Sequence, residues 1–182
     1  MLIRVADLHL RKLEFKQDFQ PGDIDFGFEL QQIGPLHAEG RAEVIVEHRG
    51  HKENIDDIRV VAKLDATLEV ACARCLEPVQ YTVNRAFDLL YRPLGVDKRA
   101  DEVAINEADT EIGYYEGDGL LLEDVLREQL LLASPVKLVC REDCKGLCPQ
   151  CGTNLNTATC NCQQPGDARW AALSELKNKL QS

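Results

Sequence analysis

Ile58-Arg-Val-Val-Ala-Lys-Leu-Asp-Ala-Thr-Leu-Glu-Val-Ala-Cys72 is the stretch on which the fold turns. Its even positions, Ile58, Val60, Ala62, Leu64, Ala66, Leu68, Val70 and Cys72, are all apolar, whereas Arg59, Lys63, Asp65, Thr67 and Glu69 occupy odd ones. Successive side chains of a strand point to opposite faces, so this alternation predicts a strand with one buried side, with a break near Lys63 to Asp65 as a place where it divides in two. Upstream, Ala42-Glu-Val-Ile-Val-Glu-His48 is rich in β formers. Downstream, Val79, Tyr81, Val83, Phe87 and Leu89 share one parity around Gln80, Thr82 and Asn84. Three such runs in succession predict an antiparallel meander from about Glu39 to Tyr91. Leu2 to Val5 adds a strand, and Phe26-Gly-Phe28 another. The expected class is α+β: an antiparallel β meander curled towards a barrel, packed by one or two helices, followed by a small C-terminal cysteine-rich segment.

The helical signal is clearest from Leu120 to Ala133. Asp118 or Gly119 can cap it, Glu123 and Asp124 suit its positive end, and Leu122, Val125, Leu126 and Leu130 recur at helical spacing. Ser134-Pro135 stops it. Asp167 opens a last helix with Trp170, Leu173, Leu176 and Leu180 on one side. Between the meander and the first helix, Asp97 to Asp118 carries eight acids against Lys98 and Arg99, an exposed excursion with a short strand at Val103 to Ile105. The chain therefore divides into residues 1–135, a sheet with a helix, and residues 136–182, a cysteine-rich segment with a C-terminal helix.

The 182 residues, 45% of them apolar, suffice for a real core. No run reaches membrane-spanning length, and Met1 to Asp7 carries charges where a secretory signal has an apolar core, so the expected location is cytoplasmic. A net charge of −10 argues against sequence-independent adhesion to nucleic acid, which needs cations to replace phosphate counterions. It suits a basic protein partner instead.

Six of the eight cysteines fall between Cys140 and Cys162. Cys148-Pro-Gln-Cys151-Gly is a turn in which Gly152 can take the positive φ that aims both sulfurs at one ion, and Cys160-Asn-Cys162 supplies a second pair after a short loop. Cys148, Cys151, Cys160 and Cys162 are thus the expected ligands of one structural zinc ion, with Cys140 and Cys144 as alternates. A disulfide cluster would require an oxidising compartment. Cys72-Ala-Arg-Cys75 lies at a predicted hairpin and has two open readings. In one it completes a metal shell with Cys140 and Cys144; in the other Cys72 is a small core residue and Cys75 a turn residue. His9, His37, His48 and His51 do not pair with the cysteines at metal spacing. No phosphate loop, nucleophile elbow or dinucleotide fingerprint is present, so neither an enzyme nor a small-molecule substrate is expected. Lys137, Arg141 and Lys145 crowd the first tail cysteines and form the best local patch for phosphate contacts, or else balance thiolate charge.

Cys72-Ala-Arg-Cys75-Leu-Glu-Pro-Val79, the leucine-rich helix ending at Ser134-Pro135, and above all Cys140-Arg-Glu-Asp-Cys144-Lys-Gly-Leu-Cys148-Pro-Gln-Cys151-Gly-Thr-Asn-Leu-Asn156 closely resemble the YceD family, the bacterial and plastid large ribosomal RNA subunit accumulation proteins. The resemblance spans most of the chain and is most specific from Cys140 to Leu180, including Asp167-Ala-Arg169. It implies a non-enzymatic role in 23S rRNA accumulation and large-subunit biogenesis, with a basic ribosomal protein, ribosomal RNA or both as partners. Some family members lack most tail cysteines and keep the C-x-x-C hairpin, which implies a structural metal, contributing on the order of 10 kcal/mol of apparent folding free energy to a segment too small for its own core. The alternative from another class is a zinc–thiolate redox sensor, motivated by six tail thiols for four ligand places.

Overall fold

The computed structural model describes residues 1–27, 30–48, 54–96 and 112–162. The alternation centred on Ile58 becomes one long strand, β5 (Asn54–Ala71), with Ile58, Val60, Leu64 and Leu68 wholly buried. It is not divided at Lys63 to Asp65. Those charges lie on the outer face, opposite Glu39 and His37, so polarity there reports the solvent side and not a break.

The antiparallel meander is formed by β4 (Leu36–His48), β5 and β6 (Pro78–Pro93). On the inner face large side chains oppose small ones: Ala38 faces Leu64, Ala42 faces Val60, and on the other side Phe87 faces Ala62 and Val83 faces Ala66. That matching of large against small lets three strands share one layer. The parity Leu13, Phe15, Phe19 makes an edge strand, β2 (Leu13–Phe19), along β4. A two-residue strand, β3 (Gln31–Gln32), continues the β4 side of β5, and β7 (Ile112–Tyr115) runs parallel to the end of β6.

The order β2-β4-β5-β6-β7 is an open path, so the sheet does not close into the expected barrel. Among the described residues, β2 and β7 are not hydrogen-bonded to each other, and the buried face is covered instead by helix α2 (Leu122–Ala133), whose Leu122, Val125, Leu126 and Leu130 join the sheet's apolar core. Phe26 lies in that core without forming a strand. A small separate sheet pairs β1 (Leu2–Arg4) with β8 (Gly119–Leu121), and α1 (Val5–Leu10) follows β1. This pairing draws Leu120 and Leu121 into a strand, so α2 begins at Leu122, two residues later than its periodicity suggests, with no side-chain cap. The oxygen of Asp118 accepts instead from the Val5 N–H at 3.0 Å.

A buried ion pair ties the sheet's far end together: the Arg92 guanidinium on β6 donates to Asp57 at 3.0 and 3.2 Å and to Glu47 at 2.5 Å. The strand at Val103 to Ile105, Phe28 and the helix from Asp167 to Leu180 lie outside the described residues.

Candidate metal centres

The turn between β5 and β6 is short and strained. Cys72 N–H donates to the Glu77 oxygen at 2.8 Å and Leu76 N–H to the Cys72 oxygen at 3.0 Å, with Leu76 in the left-handed region at φ 62°. The reversal presents Cys72 and Cys75 on one side. The segment after α2 is laid over this turn by main-chain bonds, Ala73 N–H to Leu138 O at 2.8 Å and Leu147 N–H to Arg74 O at 3.0 Å. Arg74 closes the clamp, its guanidinium donating to the carbonyls of Glu142 and Cys144 at 3.0 and 2.9 Å. Cys140 and Cys144 are thereby set against the turn: Cys72 and Cys144 Sγ stand 3.9 Å apart, Cys75 and Cys140 Sγ 3.6 Å. Cys72, Cys75 and Cys144 are buried with Val79, Val139 and Leu147 in a cluster separate from the main core, while Cys140 is exposed.

Four residues beyond Cys144 a second turn repeats the motif. Cys148 N–H donates to Thr153 O and Gly152 N–H to Cys148 O, both at 2.9 Å, and Gly152 takes φ 72°, the same left-handed conformation that Leu76 takes after Cys75. Cys160 and Cys162 return to this turn. The four sulfurs of each group lie within 4.8 Å of one another. Here Cys148 is buried, Cys160 partly so, and Cys151 and Cys162 exposed.

Asn156, on the loop between Cys151 and Cys160, supports the first group. Its amide donates to Cys144 Sγ at 3.4 Å, its carbonyl accepts from Lys145 N–H at 2.8 Å, and its own N–H donates to Asn154 Oδ1 at 3.0 Å. Gly146, at φ 76°, makes the tight passage possible, since a Cβ there would stand 2.9 Å from the Arg74 carbonyl.

All eight cysteines are thiols and not disulfides. Burial pushes the Cys72 thiol up, but the N–H groups of Cys75, Arg74 and Cys140 outweigh it and bring it to about 6. The Asn156 amide lowers Cys144, whereas withdrawal from water and the neighbouring thiols push Cys140 to about 12. The second group behaves alike: the Thr153 hydroxyl helps bring Cys151 to about 6, and Cys151 in turn drives Cys162 to about 12. In each cluster two sulfurs ionise readily and oppose the ionisation of the rest, so four thiolates require a cation among them. Such a site is closed by sulfur on all four sides, which suits structural binding and leaves no coordination position for a reacting water.

Cys148, Cys151, Cys160 and Cys162 are thus brought together. Cys140 and Cys144 are not surplus to them; they face Cys72 and Cys75, and two thiol groups stand where one zinc ion was expected. Lys137, Arg141 and Lys145 are all exposed, but Arg141 pairs with Asp143 at 3.4 Å, so acids interleave the basic trio. His37 and His9 pair with Asp18 and Asp56 on the surface. The spacing-based reading missed Arg74, Thr153 and Asn156, which act through backbone carbonyls and sulfur and follow no local pattern.

The sequence profile of the family described as large ribosomal RNA subunit accumulation protein YceD matches residues 60–177, a span that contains every cysteine. An uncharacterized protein of Mycobacterium tuberculosis is 36% identical over 105 residues, 58% of this chain and 48% of its own length. One from Mycobacterium leprae is 28% identical over 169 residues, 86% of this chain and 72% of its own. A Zea mays protein named large ribosomal RNA subunit accumulation protein YCED homolog 1, chloroplastic, is 26% identical over 129 residues, 58% of this chain and 44% of its own. The chain spans about half the length of the Mycobacterium tuberculosis and maize relatives. No solved structure matches. Among the described residues no helix is long and apolar enough to cross a membrane.

Proposed function

This chain belongs to the YceD family, and from that premise we propose that it is a non-enzymatic factor supporting accumulation of 23S rRNA and assembly of the large ribosomal subunit in the cytoplasm. The observation that carries the reading is the family match over residues 60–177, which takes in both cysteine groups and α2. The chain acts by binding a basic ribosomal protein, ribosomal RNA or both. Its acidic stretch, Asp97 to Asp118, faces the protein, and Lys137, Arg141 and Lys145 contribute phosphate contacts. Cys148, Cys151, Cys160 and Cys162 hold a structural zinc ion in the second unit, residues 136–182, which follows the sheet-and-helix unit, residues 1–135.

Depletion of the protein tests this reading. The ratio of 23S to 16S rRNA should fall and recover on expression of the wild-type chain; an unchanged ratio sinks it. Capture of ribosomal proteins with and without RNase then separates the two partner classes. Reversing the acids of Asp97 to Asp118 should weaken RNase-resistant capture, as should added salt, because exposed charges are screened within about 10 Å at 0.1 M.

The exposure of Cys151 and Cys162 favours one further reading, a zinc–thiolate redox sensor. The surplus of tail thiols that motivated it is gone, since Cys140 and Cys144 are engaged with Cys72 and Cys75. Release of zinc by mild peroxide with a matching change in rRNA level would support it.

A further inference from the structure

We propose that Cys72, Cys75, Cys140 and Cys144 hold a metal ion of their own, a divalent thiophilic cation of the zinc class, and that this ion fastens the segment after α2 to the turn between β5 and β6. It is distinct from the ion assigned above to Cys148, Cys151, Cys160 and Cys162.

The distances argue first. Zinc–thiolate bonds of about 2.3 Å directed to the corners of a tetrahedron put neighbouring sulfurs about 3.8 Å apart. The Cys72–Cys144 and Cys75–Cys140 separations are 3.9 and 3.6 Å, on either side of that edge and far from the roughly 2.0 Å of a disulfide. These are pairs 72 and 65 residues apart in sequence, so the match is not a by-product of a local turn.

The surroundings argue second. N–H donors converge on the sulfurs: Cys72 Sγ accepts from Arg74 and Cys140 at 3.5 and 3.4 Å, and Cys144 Sγ from the Asn156 side chain at 3.4 Å. Sulfur is a weak acceptor as a thiol and a good one as a thiolate, so donors in this number mark charged sulfur. Four thiolates around one divalent cation leave a charge of −2, and the Arg74 guanidinium packs against the same loop to offset it. Three of the four sulfur-bearing residues are no more than 4% exposed, so the ion lies inside a small apolar wrapping of Val79, Val139 and Leu147.

The ligand set argues third. Among the described residues no imidazole or carboxylate shares the group, and four soft sulfur donors select zinc over magnesium, calcium or manganese. An ion here closes a loop of more than sixty residues.

Cobalt(II) titration of the metal-free, reduced full-length protein tests the proposal, with the visible absorption of tetrahedral thiolate-bound cobalt as the readout. The signal should rise to a break at two equivalents. In Cys140→Ser/Cys144→Ser and in Cys148→Ser/Cys151→Ser the break should fall to one. A wild-type break at one equivalent, kept by Cys140→Ser/Cys144→Ser, overturns the second centre. If a variant fails to fold, a wild-type break at two equivalents still establishes both centres, and a break at one with only the Cys148, Cys151, Cys160 and Cys162 thiols shielded from alkylation by bound metal overturns the second. Alkylation of the unfolded protein purified without reductant should reach all eight cysteines; disulfides joining Cys72 to Cys144 and Cys75 to Cys140 would overturn the proposal in favour of oxidised sulfur. None of these outcomes depends on the ribosomal reading, which is tested by rRNA levels.

Discussion

The meander with α2 and the segment from residue 138 to residue 162 are held by opposite means. In the first, strands of 13 to 18 residues share one apolar core with the helix, in which Ile58, Leu64, Leu68, Leu126 and Leu130 are wholly buried. In the second there is no helix and no strand, only turns and a single bridge between Leu147 and Asn154. Its apolar contribution amounts to Val139 and Leu147 around three buried cysteines. A segment of that size cannot bury enough surface to offset the entropy of ordering it. Its order has to come from cross-links, and the sulfur geometry supplies the places for them. One region is held by the exclusion of water from an apolar core; the other offers two groups of four sulfurs, each able to hold a metal ion.

Truncating the main core gives the largest effect that separates the two. Leu126→Ala removes a side chain with no exposure from the junction of α2 and the sheet and should cost about 2–5 kcal/mol, read by denaturant unfolding. Zinc content per folded chain should stay unchanged, and a parallel loss of zinc would show the regions to be one unit. Asn156→Ala works from the other side. Losing the amide beside Cys144 and the acceptor for Lys145 should weaken metal retention about 10- to 100-fold in competition with a chelator. The unfolding midpoint of the sheet should barely move. Leu76→Gly gives the smallest effect, and in the favourable direction. Leu76 is exposed and left-handed where the second turn uses Gly152, so glycine relieves strain of roughly 1 kcal/mol while loosening the unfolded chain by a little less. The expected result is equal or slightly tighter metal retention; clear weakening would mean that Leu76 packs in a way its exposure conceals.

The parts of this structure that were legible in the sequence are those in which one face meets water and the other does not. β5 and β6 advertise their parity because their outer faces carry Arg59, Lys63, Asp65, Asn84 and Asp88. The edge strand β2 was missed because Gln17 interrupts Leu13, Phe15 and Phe19, and α1 because six residues complete too few turns to show a period. The start of α2 was set by β1, more than a hundred residues away, and no local signal reports such pairing. The same contrast divides the cysteines. Cys148, Cys151, Cys160 and Cys162 are gathered within one loop, and their spacing suffices to group them. The grouping of Cys72 and Cys75 with Cys140 and Cys144 was one of two open readings, because the register of β5 with β6 and the clamp of Arg74 that bring them together are not encoded in spacing. The expected barrel failed for a related reason: alternation reports a buried face without saying whether a strand or a helix covers it.

Hydrogen exchange of the full chain before and after removal of metal tests the contrast most directly. The account predicts that amides of residues 138–162 lose protection by more than about a thousandfold on chelation, while β4 and the Ile58–Leu68 stretch of β5 keep theirs and the turn from Cys72 to Glu77 falls in between. Equal loss across the sheet and the cysteine segment, or a segment that stays protected without metal, would contradict it.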